Sequence, residues 1–215
     1  MLLTETLYVQ ILVSGKLKVQ KCNVIVPKNR FGFINLVKSK PRTLSKEKLP
    51  EVWLRGPIPE IPALLQPAAH ALLQTAEELH LILKDVPNEL LTREVAGRAT
   101  PSFHLKHLTG VLDRMLTYAH GDSLSKEQFD YLRSEKATEP TPKKEELINA
   151  FEAKVNEGLT YFKSLDEPKL IEVRGVGRKQ LPSTVIGLLF HAAEHAQRHL
   201  GQLLVTVSVL KTKSN

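Results

Sequence analysis

Residues 184–210 constrain the fold most, because their apolar side chains fall on nearly every side of a helix. The apolar positions are Val185, Ile186, Leu188, Leu189, Ala192, Ala193, Ala196, Leu200, Leu203, Leu204 and Val207. A helix that is apolar over most of its circumference is buried among other helices rather than lying on a surface. Ser183 precedes the segment and is a residue type favoured as a helix N-cap. The segment therefore predicts the central helix of an all-α domain.

Three further segments carry apolar residues at helical spacing, namely residues 63–83, 102–120 and 143–164. Pro67 is tolerated only in a first turn, so we expect the regular part of the first helix to begin near Gln66. A charged loop is expected from the second helix through residues 138–142, and residues 166–182 suit a loop or a short extended excursion. Four helices of this length predict an all-α four-helix bundle of up-down type with long crossover loops.

The first fifty residues differ in charge from the rest of the chain. They hold ten lysines and arginines against two acids, a net charge of +8, whereas the whole chain carries +7. Residues 8–14 and 22–26 are rich in β-branched residues and favour a hairpin, which is marginally stable when isolated. Residues 37–50 are typical of a linker. We predict that residues 1–50 form a basic extension, disordered or weakly β, outside a bundle formed by residues 51–212.

The composition also suggests a compartment. Cys22 is the single cysteine, which excludes an internal disulfide and a cysteine-rich zinc site. No window reaches the roughly 18 consecutive apolar residues that cross a bilayer, and the N-terminus lacks the features of a signal peptide. We expect a cytoplasmic protein without membrane contact.

Histidines provide the candidate chemistry. His191, His195 and His199 are spaced four residues apart on the last helix, and each step advances about 40° and about 6 Å along one face. His104 and His107 lie on the apolar side of the second helix. A pair of histidines at i and i+4 can chelate one metal ion. Spacing alone leaves two interpretations open, a shared metal or a buried hydrogen-bond network that includes Glu194 or Asp113.

Two sequence stretches resemble the DinB/YfiT-like superfamily. They are Ser-Phe-His-Leu-Lys-His-Leu-Thr-Gly, which ends at Gly110, and Leu-Leu-Phe-His-Ala-Ala-Glu-His-Ala-Gln-Arg-His-Leu-Gly-Gln, which ends at Gln202. The resemblance covers roughly residues 52–210. It implies a four-helix bundle with a divalent-metal site, occupied by zinc, nickel or iron. The ligands carried over by position are His107, His195 and His199, with the pair His191/His195 as the alternative.

Other polar residues near these motifs are candidates for supporting roles. Glu194, Arg198 and Gln202 are placed to orient a ligand imidazole or a bound water. Arg98, Arg174 and Arg178 lie in glycine-containing loops, where they are either solvated or available to an anionic substrate.

The resemblance implies a function without fixing the reaction. One hypothesis is a metal-dependent thiol transferase, or a related hydrolase or isomerase, that acts on a small molecule together with a low-molecular-weight thiol. The alternative is a non-catalytic metal-binding or stress-related protein, for which a homodimer through helix surfaces is an option. Nucleic-acid binding through the basic first fifty residues is disfavoured, because the remaining chain carries a net charge of −1.

Overall fold

The computed structural model describes residues 2–13, 16–27, 49–140 and 143–213. The chain divides into two compact units, residues 1–47 and residues 48–215. The first unit contains an antiparallel hairpin of β1 (Leu2–Val13) and β2 (Lys16–Pro27), in which Leu2 pairs with Pro27 and Val13 pairs with Lys16. The pairing is longer than the two runs that predicted it. All but the last two residues of the predicted linker at 37–50 lie outside the described residues.

The second unit is helical and confirms the predicted all-α bundle. In chain order its elements are α1 (Gln66–Leu83), α2 (Pro101–His120), α3 (Lys126–Ser134), α4 (Lys144–Lys163), α5 (Glu167–Leu170), β3 (Val173–Val176), β4 (Leu181–Thr184) and α6 (Val185–Lys213). The four long helices α1, α2, α4 and α6 are those that the apolar spacing predicts. β3 and β4 pair as a short antiparallel hairpin within the predicted excursion at residues 166–182. No helix within the described residues is both long and apolar enough to cross a membrane.

The ends of the long helices follow from local chemistry. Thr100 caps α2 by accepting a hydrogen bond from the Phe103 amide at 3.1 Å. Gly121 ends α2 in the left-handed conformation, at a φ of 92°, as glycine readily does. The predicted cap of α6 was wrong. Ser183 lies in β4, and the hydroxyl of Thr184 accepts from the Gly187 amide instead, at 3.1 Å.

The predicted charged loop between α2 and α4 was also wrong in part, because residues 126–134 form the helix α3. None of its residues is fully buried, so it carries no apolar stripe that would reveal it. Its start does carry a signal. Ser125 and Gln128 form a capping box, in which each side chain bonds the backbone amide of the other residue.

Long connections between the four long helices determine the directions in which these helices run. Both α1 and α2 pack against α4 and against α6. Helices α2 and α4 run parallel, since Asp113 pairs with Lys154 and, further along both helices, Tyr161 donates to the carbonyl of Ala119. A chain that links two parallel neighbours must return along the bundle, and α3 lies in that return segment. Helices α2 and α6 run antiparallel, which brings their histidines together.

Candidate metal centre

Four histidines from α2 and α6 meet in two pairs. Nε2 of His107 lies 2.9 Å from Nε2 of His195, and Nδ1 of His104 lies 2.9 Å from Nδ1 of His199. Ligand nitrogens of His107, His195 and His199 all lie within 4.8 Å of one another. Two antiparallel helices therefore bring together the three residues that the family resemblance selects.

Burial keeps most of these imidazoles neutral. Burial lowers the pKa of His104 to about 4, with a smaller contribution from the charge of His107. Burial likewise lowers the pKa of His195 to about 4 and that of His199 to about 3, and the neighbouring histidines add to both shifts. Relative exposures of 4% for His104 and 9% for His199 agree with this. A histidine must be neutral to bind a metal ion, so these side chains are in the required state at neutral pH.

A buried ion pair supports His107 from the opposite side. Nδ1 of His107 donates to Oε2 of Glu135 at 2.7 Å, and Nη1 of Arg114 donates to Oε1 of the same carboxylate at 2.7 Å. Glu135 is only 2% exposed. Burial by itself raises the pKa of Glu135, but the hydrogen bonds from His107 and Arg114 outweigh burial and the net pKa is lowered. The carboxylate is therefore ionised.

These contacts leave nitrogens of the right kind for a metal ion. Because an ionised carboxylate only accepts, the Nδ1 proton of His107 faces Glu135 and Nε2 carries the free lone pair. Contact with His104 similarly occupies Nδ1 of His199. Within the described residues, Nδ1 of His195 is buried and has no hydrogen-bond partner. Three adjacent imidazoles, one of which has a buried nitrogen without a partner, fit a divalent ion that prefers nitrogen ligands.

The alternative ligand His191 lies in a different group. Its Nδ1 is 2.9 Å from Glu194, and together with His195 these residues form a second cluster of possible ligands. Arg198 also bonds Glu194, at 2.7 Å. Glu194 thus contacts both His191 and Arg198, and no hydrogen bond joins Glu194 or Arg198 to His195 or His199 within the described residues.

Three residues of the site were missed by sequence reasoning. Glu135 and Arg114 form the ion pair described above, and the ring of Phe103 stacks on His107 with the centroids 5.1 Å apart. Glu135 is 28 residues from His107 in sequence, and no spacing rule relates the two. Arg114 was missed for the same reason, because its partner Glu135 is 21 residues away in sequence.

The remaining histidines lie outside this cluster. His80 pairs with Glu152 at 2.7 Å, and the ring of His120 lies against that of Tyr161, with the centroids 3.9 Å apart and the planes tilted by 35°. Nε2 of His70 lies 3.1 Å from the carbonyl of Gly56.

A groove of about 650 Å³ adjoins the histidines on the side of His104. It is lined by Arg98, Ala99, His104, Arg198, Gly201, Gln202, Val205 and Thr206. Of the three loop arginines for which solvation and anion binding were both left open, Arg98 lies beside the histidine cluster. Arg174 and Arg178 line a separate groove near Gly121, at the opposite end of α2. There Arg174 donates to the carbonyl of Ala119 at 2.8 Å.

Comparisons with known proteins agree with this architecture. A protein from Streptococcus pneumoniae has a similar structure, with a TM-score of 0.50 and 16% identity over 67% of this chain and 88% of the other. A DinB-like protein from Bacillus cereus gives a TM-score of 0.46 and 17% identity over 66% of this chain and 90% of the other. No curated protein matches the sequence. The family model of the DinB superfamily matches residues 71–203, from α1 into α6. Because that match spans more than half of the sequence, the chain belongs to the DinB superfamily.

Proposed function

We propose that the chain binds one divalent metal ion through His107, His195 and His199, and that this ion is zinc, nickel or iron. The observation that carries the proposal is the convergence of the three imidazoles from two helices, with ligand nitrogens within 4.8 Å of one another. Imidazole ligands suit all three metals. A set of three protein ligands leaves coordination positions open, as catalytic sites do.

The proposed reaction is a metal-dependent transfer that involves a small thiol, or a related hydrolysis or isomerisation. A divalent ion in an open site lowers the pKa of a bound thiol or water and so supplies a nucleophile at neutral pH. The protein contributes three imidazole ligands and an approach for the substrate. The proposal assigns no role to Cys22, because the three ligands that carry it are histidines of the second unit.

The groove beside His104 supports a small polar substrate that carries an anionic group. Across the described side chains, no hydrogen bond or ion pair engages the guanidinium of Arg98, the amide of Gln202 or the hydroxyl of Thr206. These groups are available for a carboxylate and for neighbouring polar atoms of a substrate. Arginine binds carboxylates well because its planar donors match the two oxygens.

Metal analysis of freshly purified protein tests the site. We expect about one equivalent of metal in the natural protein and a loss of most of it in His107→Ala and in His195→Ala, because two imidazoles bind more weakly than three. His80→Ala is the matched control, since His80 pairs with Glu152 outside the cluster. Equal metal content in all four proteins would contradict the proposed ligands.

A reaction screen separates the two functional hypotheses. Metal-loaded protein is incubated with several small thiols and electrophiles, with the His107→Ala variant as the blank. Conjugation that depends on His107 supports the transferase. If replacement of the three ligands changes only thermal stability and metal content, the non-catalytic metal-binding function is the better description.

A further inference from the structure

Gly110 leaves a gap on the surface of α2 that a buried carboxylate occupies. A Cβ atom at this position would lie 2.7 Å from Nη1 of Arg114 and closer still to Oε1 of Glu135. Contacts this short do not occur in real structures, so any side chain at residue 110 would displace the ion pair. Gly158 in α4 is different, because its added Cβ would meet Leu116 at an ordinary 3.6 Å.

The carboxylate in this gap joins two residues of α2. His107, Gly110 and Arg114 are spaced by three and four residues and therefore share one face of the helix. Glu135 lies across this face, with one oxygen on His107 and the other on Arg114, each at 2.7 Å. Each carboxylate oxygen thus has its own charged or polar partner.

Helix α3 delivers Glu135 to this position. The hydroxyl of Tyr131 donates to the carbonyl of Lys106 at 3.2 Å, and Nζ of Lys106 donates to the carbonyl of Ala137 at 2.7 Å. Near the other end of α3, the side-chain amide of Gln128 donates to the carboxylate of Asp113 at 2.6 Å. The segment around Glu135 is therefore held against α2 on both sides of the carboxylate.

We propose that Glu135 is a positioning residue that fixes the protonated nitrogen of His107, and that Gly110 is required because it admits this carboxylate. The inference rests on the proposed metal site. Glu135 holds the imidazole proton on Nδ1, which keeps the lone pair on Nε2, the nitrogen that faces His195. Without the carboxylate, the proton distributes over both nitrogens, and the fraction protonated on Nε2 cannot ligate a metal ion through that nitrogen. Groups that orient a ligand histidine in this way typically change metal affinity by about 10- to 100-fold.

The first test measures the protonated nitrogen of His107 in metal-free protein by ¹⁵N NMR. We expect the Nδ1–H form in the natural protein and a shift toward the Nε2–H form in Glu135→Ala. Glu135→Gln is the second variant. Its side chain has a single acceptor oxygen, which the charged Arg114 should take, so its NH2 group faces Nδ1 of His107 and should also move the imidazole proton toward Nε2. An unchanged His107 signal in Glu135→Ala would overturn the proposal, and no metal is needed to see it.

The second test is a double-mutant cycle on zinc affinity, measured by competition with a chromophoric chelator. Glu135→Ala and Gly110→Ala should each weaken zinc binding by about 10- to 100-fold. In the Glu135→Ala background, Gly110→Ala should cause almost no further loss, because the carboxylate it would displace is gone and the end of Arg114 is free to move. Losses that simply multiply would show that Gly110 acts independently of Glu135.

Gly158→Ala is the control for placing alanine at a buried helical glycine, and it should leave zinc affinity unchanged. Thermal unfolding of each variant shows whether it folds. If the natural protein binds no zinc, nickel or iron, the proposed metal function fails, while the NMR measurement still decides whether Glu135 fixes the proton of His107.

Discussion

The buried histidines make the metal-free protein sensitive to acid. His104, His195 and His199 have pKa values of about 4, 4 and 3 in the folded state, below the ordinary value of 6.5 that they regain on unfolding. Between these limits the unfolded chain binds more protons than the folded chain. Acid in that range therefore favours unfolding. The stability that these groups confer is complete above about pH 6.5 and declines as the pH falls toward 4.

The expected result is a thermal midpoint that falls steadily from pH 7 to pH 5 in chelator-treated protein. His199→Gln cannot titrate at this position, so its midpoint should fall less over the same range. His80→Ala is the control and should follow the natural protein. A midpoint that is flat between pH 7 and pH 5 would contradict the burial of neutral imidazoles in this cluster.

Residue spacing reveals only part of this site. The i, i+4 spacing of His195 and His199 indicates a shared helix face, and the family resemblance selects His107 as their companion. Neither source reveals Glu135, because its contact with His107 depends on where α3 packs. The hydrogen bond between His104 and His199 is hidden for the same reason, since sequence spacing does not say which residues of two helices face each other.

At the level of secondary structure, α3 should be held in place by its N-terminal cap. The Ser125 hydroxyl accepts from the Gln128 amide at 3.2 Å, and the Gln128 side chain accepts from the Ser125 amide at 3.0 Å. Ser125→Ala removes one of these two hydrogen bonds. It should lower the stability of α3 by about 1 kcal/mol. We expect the amides of α3 to exchange with deuterium about five-fold faster, while those of α4 keep their rates.

The matched control is Ser208→Ala, because the hydroxyl of Ser208 bonds the carbonyl of Leu204 within α6 and caps no helix. Unchanged exchange in α3, or equal acceleration across the whole bundle, would show that the cap does not stabilise α3 locally. If α3 carries Glu135 as proposed, Ser125→Ala should also weaken zinc binding slightly.

The difference between α3 and the four long helices explains what the sequence could predict about the fold. Each long helix buries an apolar stripe, and for this reason its apolar residues recur with the 3.6-residue period of a helix. No residue of α3 is fully buried, so its sequence does not need apolar residues at this period. Its capping box was the available signal. The predicted cap of α6 was misplaced by one residue because β4 extends to Thr184. A strand of four residues is too short for its alternating pattern to show in the sequence where it ends.

At the scale of the whole molecule, the arrangement of the helices determines which histidines can meet. Because α2 and α6 are antiparallel, His104 lies opposite His199 and His107 lies opposite His195. If the two helices ran parallel, the residue opposite His107 would come later in α6 than the residue opposite His104, and these two pairs could not both form. The sequence predicts four helices joined by long crossovers, and the geometry of the site depends on the directions that those connections give to the helices.

This arrangement predicts that metal binding stabilises the helical unit as a whole. A metal ion held by His107, His195 and His199 would link α2 to α6, and both helices contribute to the main core. Zinc at a free concentration of 100 times its dissociation constant should raise the free energy of unfolding by about 2.7 kcal/mol. For a unit of this size, that corresponds to a rise of roughly 5–10 °C in the thermal midpoint, reversed by a chelator.

His107→Ala separates this linkage from other zinc binding. The variant keeps His191, Glu194 and His195, which form the second group of possible ligands on α6 alone. An ion bound there would contact a single helix and would not link α2 to α6. Zinc should therefore raise the midpoint of the natural protein and of His80→Ala equally, and that of His107→Ala much less. An equal rise in all three proteins would place the stabilising ion on α6 rather than between the two helices.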